Sequence, residues 1–203
     1  IFSGPSENIS KRFFRIASKN SAPTARWFQE HNGSREESHG HFILVCEDGG
    51  FLQIGETGIV GRATAKILVV KTDSEGNELW KREFGSGNRN MGNSAIEVSD
   101  GYLVCGMLNR NSAILKLDKS DGTLIFSRTR NNGGTDAYEH LALHPNGLIM
   151  VGYTNAEDPN NTFFTEGRGY LGFHDSSGNW NSGKSLNDHI SLAYRIKAVE
   201  DNY

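Results

Sequence analysis

The chain has 203 residues, 36% of them apolar, with 24 glycines and 4 prolines, a balance that suits many short strands joined by glycine turns and argues against long helices. Its 21 basic and 24 acidic residues are spread without blocks and leave a formal charge of -3, so no basic patch directs it to nucleic acid or anionic lipid. No apolar run approaches the roughly 20 residues that cross a bilayer, so no membrane span is expected.

In chain order, residues 1–11 read as an N-terminal extension carrying the first of three Asn-x-Ser/Thr sequons, at Asn8; the others begin at Asn32 and Asn160. A start at Ile1 instead of Met fits a processed chain, and with the sequons it points to a secreted, extracellular or lumenal glycoprotein. Residues 12–40 hold Arg12 to Lys19 and then Trp27, which match the third and fourth strands of a blade, since Asn20 to Trp27 has the spacing of Asp73 to Trp80.

From residue 41 one phrase returns three times. It runs strand, Asp-Gly or Asn-Gly turn, strand ending in Gly, variable stretch, strand ending in Asp, Gly-Asn or Gly-Thr, and a last strand. The first copy is Phe42 to Cys46, Asp48-Gly49-Gly50, Phe51 to Gly55, Lys66 to Asp73, Gly76-Asn77 and Glu78 to Phe84 with Trp80. The second is Ser94 to Val98, Asp100-Gly101, Tyr102 to Gly106, Ala113 to Asp118, Gly122-Thr123 and Leu124 to Thr129 with Phe126. The third is His140 to Leu143, Asn146-Gly147, Leu148 to Gly152, Gly169 to Asp175, Gly178-Asn179 and a weaker strand near Trp180. A first strand of a further copy, Ser191 to Glu200, ends at Asp201, where a fourth such turn would begin.

The turn positions Asp48, Asp100, Asn146 and Asp201 are 52, 46 and 55 residues apart, close to the repeat of a β-propeller blade. Asp or Asn followed by Gly is expected to supply two residues of positive φ at a two-residue hairpin. Asp73, Asp118 and Asp175 are expected to cap their own turns through Asx bonds, with Gly left-handed, and not to form calcium loops. The fold expected is all-β, a β-propeller of four-stranded antiparallel blades. It is read as a fragment with about three full blades, 41–90, 91–136 and 137–189, and half-blades at 12–40 and 190–203.

The phrase Asp48-Gly49-Gly50-Phe51-Leu52 through Thr57, followed by Lys71-Thr72-Asp73-Ser74-Glu75-Gly76-Asn77-Glu78-Leu79-Trp80, resembles the repeat of secreted β-propeller proteins, related in pattern to quinoprotein-like propeller repeats. The resemblance covers the chain from about Arg12 onward. It implies the fold, and neither an activity nor a cofactor. The third copy departs from it with His144-Pro145-Asn146-Gly147 in the turn and no aromatic at the position matching Trp80. The Asp-x-x-Gly spacing differs from the Asp-box of sialidases.

Cys46 and Cys105 lie in apolar strands and read as buried thiols in preference to a disulfide. His39 with His41, and His140 with His144, could point in pairs to one side of a strand, with Glu139 or Asp136 as a third metal ligand. No recognised ligand spacing supports this, so no metal is expected. Glu47, Asp48 and Glu56 as a carboxylate pair for glycoside chemistry is set aside because Asp48 is a repeated turn residue. Trp27, Trp80 and Phe126 share one repeat position and read as packing anchors between sheets.

Trp180, which breaks that register, reads as the exposed aromatic. Together with Phe163, Phe164 and Arg168 of the long 156–168 insertion, and His140, it forms the candidate ligand-binding set; Ile59 to Ala65 is a second insertion. The function expected is a non-enzymatic binding module that recognises a protein or glycan through rim loops, with the rest of the propeller supplied by another chain or segment. The alternative is part of an enzyme with its active site at the central channel. Non-repeating ionisable residues such as His140, Arg195 and Lys197 in the channel would favour the enzyme, and small or apolar ones the scaffold.

Overall fold

A computed structural model describes residues 28–35, 37–58, 64–87, 89–156, 167–186 and 190–197. Asn8, residues 12–27 of the half-blade expected at 12–40, with Trp27 among them, and Asn160, Phe163 and Phe164 lie outside them. Twelve strands run β1 Ser38–Val45, β2 Phe51–Thr57, β3 Lys66–Thr72, β4 Glu78–Phe84, β5 Met91–Val98, β6 Gly101–Leu108, β7 Asn111–Leu117, β8 Leu124–Arg130, β9 Thr135–His144, β10 Gly147–Ala156, β11 Arg168–His174 and β12 Trp180–Ser185. They pair with their chain neighbours into three antiparallel four-stranded sheets, I (β1–β4), II (β5–β8) and III (β9–β12).

The sheets stack in one repeated way. First strands run side by side, β1 by β5 and β5 by β9, while β2 and β3 lie on β5, and β6 and β7 lie on β9. Sheet II is therefore covered on both faces, and its strands divide their side chains by the alternation of a pleated strand. Tyr102 and Val104 of β6 join Leu52, Ile54, Val69 and Trp80 in a core shared with sheet I. Their neighbours Leu103 and Cys105 join Tyr138, Leu141 and Met150 in a core shared with sheet III. Each fully buried aliphatic side chain contributes about 1.5–3 kcal/mol. Cys46 and Cys105 fall in different cores, and both are free, buried thiols.

Asp48, Asp100 and Asn146 occupy the first hairpin of their sheets, the same setting three times. The turn type differs from expectation. Val98 pairs with Gly101 and His144 with Gly147, so the turn residues are Ser99-Asp100 and Pro145-Asn146, without positive φ. Positive φ falls on the glycines that follow, Gly101 and Gly147, each paired in regular register with the residue that ends the preceding strand. The hairpin with two left-handed residues is instead Asn109-Arg110 (φ 52° and 67°), between β6 and β7.

The Asx turns are as expected. The Oδ1 atoms of Asp73, Asp118 and Asp175 accept backbone N–H bonds from Glu75, Ser120 and Ser177, and Gly76, Gly122 and Gly178 are left-handed. These turns are where sheets dock. A Cβ on Gly122 would lie 2.6 Å from the Trp80 ring, and one on Gly178 would lie 3.0 Å from the Phe126 ring. Trp80 and Phe126 are thus anchors between sheets. In sheet III the residue facing Phe173, where β4 has Trp80 facing Lys71, is Ser182. Residues 190–197 do not form the strand expected there. Ala193 N–H nonetheless donates to Gly152 O (3.1 Å), and Ala193 is buried against sheet III.

Candidate functional site

Each first strand carries one residue too many. Gly40 faces Gly55 and Phe42 faces Ile54, leaving His41 over; in the same way Asn93 is extra in β5 and Glu139 in β9. The cause is local and repeated: Gly55, Gly106 and Gly152 on the second strands lie against the carbonyls of His39, Met91 and Ala137, where a Cβ would collide. A glycine there lets the backbones close in, and the bulge re-aims one side chain out of the pleat. Three equivalent bulges on three adjacent strands deliver three different polar residues to one place.

They touch. His41 Nδ1 is 3.0 Å from Asn93 Oδ1, and Asn93 Nδ2–H donates to the carbonyl of Tyr138 at 3.0 Å. His41 Nε2 is 2.9 Å from Oε2 of Glu56, a β2 carboxylate whose side chain is 2% exposed, and His39 Nδ1 is 3.5 Å from Glu56 Oε1. Burial alone would raise Glu56, but the two imidazoles outweigh it and hold the carboxyl below its ordinary value. Burial opposes a charge on His41, yet Glu56, Asn93 and Glu139 together draw it upward; the bond to Glu56 does the same for His39.

Glu139 differs. Burial, with the Glu56 charge adding and His41 opposing, pushes its carboxyl up to about 7. At neutral pH it is present in both forms in comparable amounts, which suits a group that gives and takes a proton. His140, the next residue, meets Phe42 of sheet I edge to face at 5.9 Å, and its buried Nδ1 has no hydrogen-bond partner. Burial and Arg195 lower its basicity.

The cluster thus unites His39, His41, Glu56, Asn93 and Glu139, with His140 beside it. Of the expected residues that are described, Trp180, Arg168 and His140, only His140 is here. Trp180 is not presented to solvent as expected: it is half-buried, stacked on Tyr170 (6.0 Å, 16°) and covered by the Arg130 guanidinium at 3.5 Å from its centroid. Arg168 is exposed at the start of β11, away from these contacts. Asn32 is half-buried, and its sequon partner Ser34 donates through its hydroxyl to Glu83 Oε2 at 2.6 Å. Asn93 and Glu56 carry no motif. The signal that could have found them is columnar: His41, Asn93 and Glu139 are 52 and 46 residues apart, the spacing of the hairpin turns. Among the described residues no group of three His, Cys, Asp or Glu side chains is placed to hold a metal ion. No family model matches the chain, and no curated protein matches it in sequence.

Proposed function

We propose that the three sheets are successive blades of a β-propeller, and that the chain works at the end of the axis where the first strands converge, binding a small polar ligand there with Glu139 as proton donor and acceptor. The observation that carries this is the triple bulge. A device repeated in the backbone but filled with His41, Asn93 and Glu139 in turn is not needed for packing, which a repeated residue would serve better. Non-repeating ionisable groups at the convergence of first strands are also what distinguishes a channel site from a scaffold. The chemistry on offer is acid–base: a carboxyl titrating near 7 beside a charged imidazole–carboxylate pair, with an amide to orient what binds.

In this reading the aromatic rim is secondary, because Trp180 is engaged with Arg130 and Tyr170. A secreted or lumenal setting, as the sequons suggest, belongs to the same proposal. The test is an NMR screen of small polyols, amines and carboxylates against the wild type, Glu139→Gln and Arg168→Ala. Binders should perturb His41 and Asn93 and lose affinity in Glu139→Gln while keeping it in Arg168→Ala. Binders that perturb Arg168, and are indifferent to Glu139→Gln, would place recognition on the rim and sink the axial reading.

A further inference from the structure

The hydrogens in the cluster can be assigned without a titration. The Tyr138 carbonyl can only accept, so the Asn93 amide turns its nitrogen to Tyr138 and its oxygen to His41. A carbonyl oxygen again only accepts, so His41 Nδ1 carries a hydrogen. On the other side of the ring, Nε2 faces the Glu56 carboxylate, an acceptor too. One imidazole between two acceptors holds two protons and a positive charge.

We infer that the second proton on His41 is a latch: while present it ties β1, β5 and β9 together through Asn93, and when it leaves Asn93 is released. A neutral ring has one N–H for two acceptors. A bare Nε2 would set its lone pair 2.9 Å from the Glu56 carboxylate, a costlier opposition than one to the oxygen of a neutral amide, so the hydrogen stays on Nε2. The bare Nδ1 then faces the Asn93 oxygen, lone pair to lone pair. Flipping the amide would mend that contact but set its oxygen against the Tyr138 carbonyl. Either way one of the two links between neighbouring first strands is lost.

The groups facing His41 decide where this happens. Glu56 on β2 and Glu139 on β9 hold the proton on, His39 on β1 competes for Glu56 and repels a second charge, and Asn93 on β5 is neutral. The carboxylates prevail, so the latch opens above the ordinary histidine range. It depends on these contacts alone and stands whether or not a ligand binds beside it.

The experiment is nitrogen NMR of the whole chain across pH. At pH 6 both His41 ring nitrogens should carry protons and the Asn93 side-chain amide should be protected from exchange. As pH rises, the ring and the Asn93 protection should change together, protection falling about fivefold or more, as the loss of one hydrogen bond implies. Glu139→Gln, which removes one holding charge and neither hydrogen bond, should move the common midpoint down. A neutral His41 at pH 6 with Asn93 still protected would overturn the latch, and so would Asn93 exchange that ignores the His41 titration.

Discussion

The indole N–H of Trp80, on the last strand of sheet I, donates to the carbonyl of Lys119 in a turn of sheet II, at 3.1 Å. The same ring lies on Gly122, whose φ of 73° only glycine adopts freely. Residue type, turn conformation and sheet stacking therefore fix one another at this point. Trp80→Ala is expected to lose about 3–5 kcal/mol of stability, and Trp80→Phe about 1 kcal/mol, the hydrogen bond alone. Gly122→Ala combines left-handed strain with a collision against the ring and is expected to lose about 2 kcal/mol or more. Urea denaturation of the three variants checks the order; a Gly122→Ala protein as stable as wild type would mean that the ring does not sit there.

Gly106 tests the bulge. Its missing Cβ is what lets β6 approach the Met91 carbonyl and push Asn93 out of register. Gly106→Ala should straighten β5 and break the contact between Asn93 and His41, at a loss of about 3 kcal/mol or more. Loss of the Asn93 amide's exchange protection, in a variant whose Trp80 fluorescence is unchanged, is the expected signature.

The cluster should stabilise the fold most at mildly acidic pH, while His140 and His174, whose values are lowered, act in the opposite sense. Glu139, His39 and His41 have raised values in the fold, so their contribution is present at low pH and is lost as pH rises through those values, about 7 for Glu139. Glu56 is lowered, so its contribution holds above its ordinary 4.5 and fades only as pH falls through its lower folded value. The midpoint of denaturation of Glu139→Gln relative to wild type should therefore rise from about pH 5 to 8, as the wild-type carboxyl ionises at a cost. A difference between Glu139→Gln and wild type that does not change with pH would contradict the cluster as described.

Neither thiol should react in the native protein. Burial raises Cys46, and it raises Cys105 well above the ordinary thiol value, leaving little thiolate at neutral pH. Intact mass after treatment with iodoacetamide should show no adduct under native conditions and two in denaturant.

The fold was legible where chemistry is tied to single residues. Asp73, Asp118 and Asp175 cap turns by bonds to their own neighbours, so the turn can be read from five consecutive letters. The site was not, because a bulge belongs to a pair of strands. The expected first strands began at Phe42, Ser94 and His140, in each case one residue after the bulged one. A polar residue out of pleat breaks the apolar run, and the strand appears to start later than it does. Trp180 was misplaced for a related reason: its ring fills the space over Gly172 and Gly183, and those glycines name no partner until β11 and β12 are paired.

Alternating strand direction gathers the hairpins β1–β2, β3–β4, β5–β6, β7–β8, β9–β10 and β11–β12 at one end of their sheets. Those six turns hold Glu47, Asp48, Asp73, Glu75, Asp100, Asp118, Asp121 and Asp175, against Lys119 as the one basic residue. Charges that look evenly scattered along the chain are thereby sorted in space. The described sheets thus carry an acidic edge that the near-neutral total conceals, only partly offset where Lys71 and Lys116 pair with Asp48 and Asp100, and within a Debye length of an anionic surface that edge would be repelled.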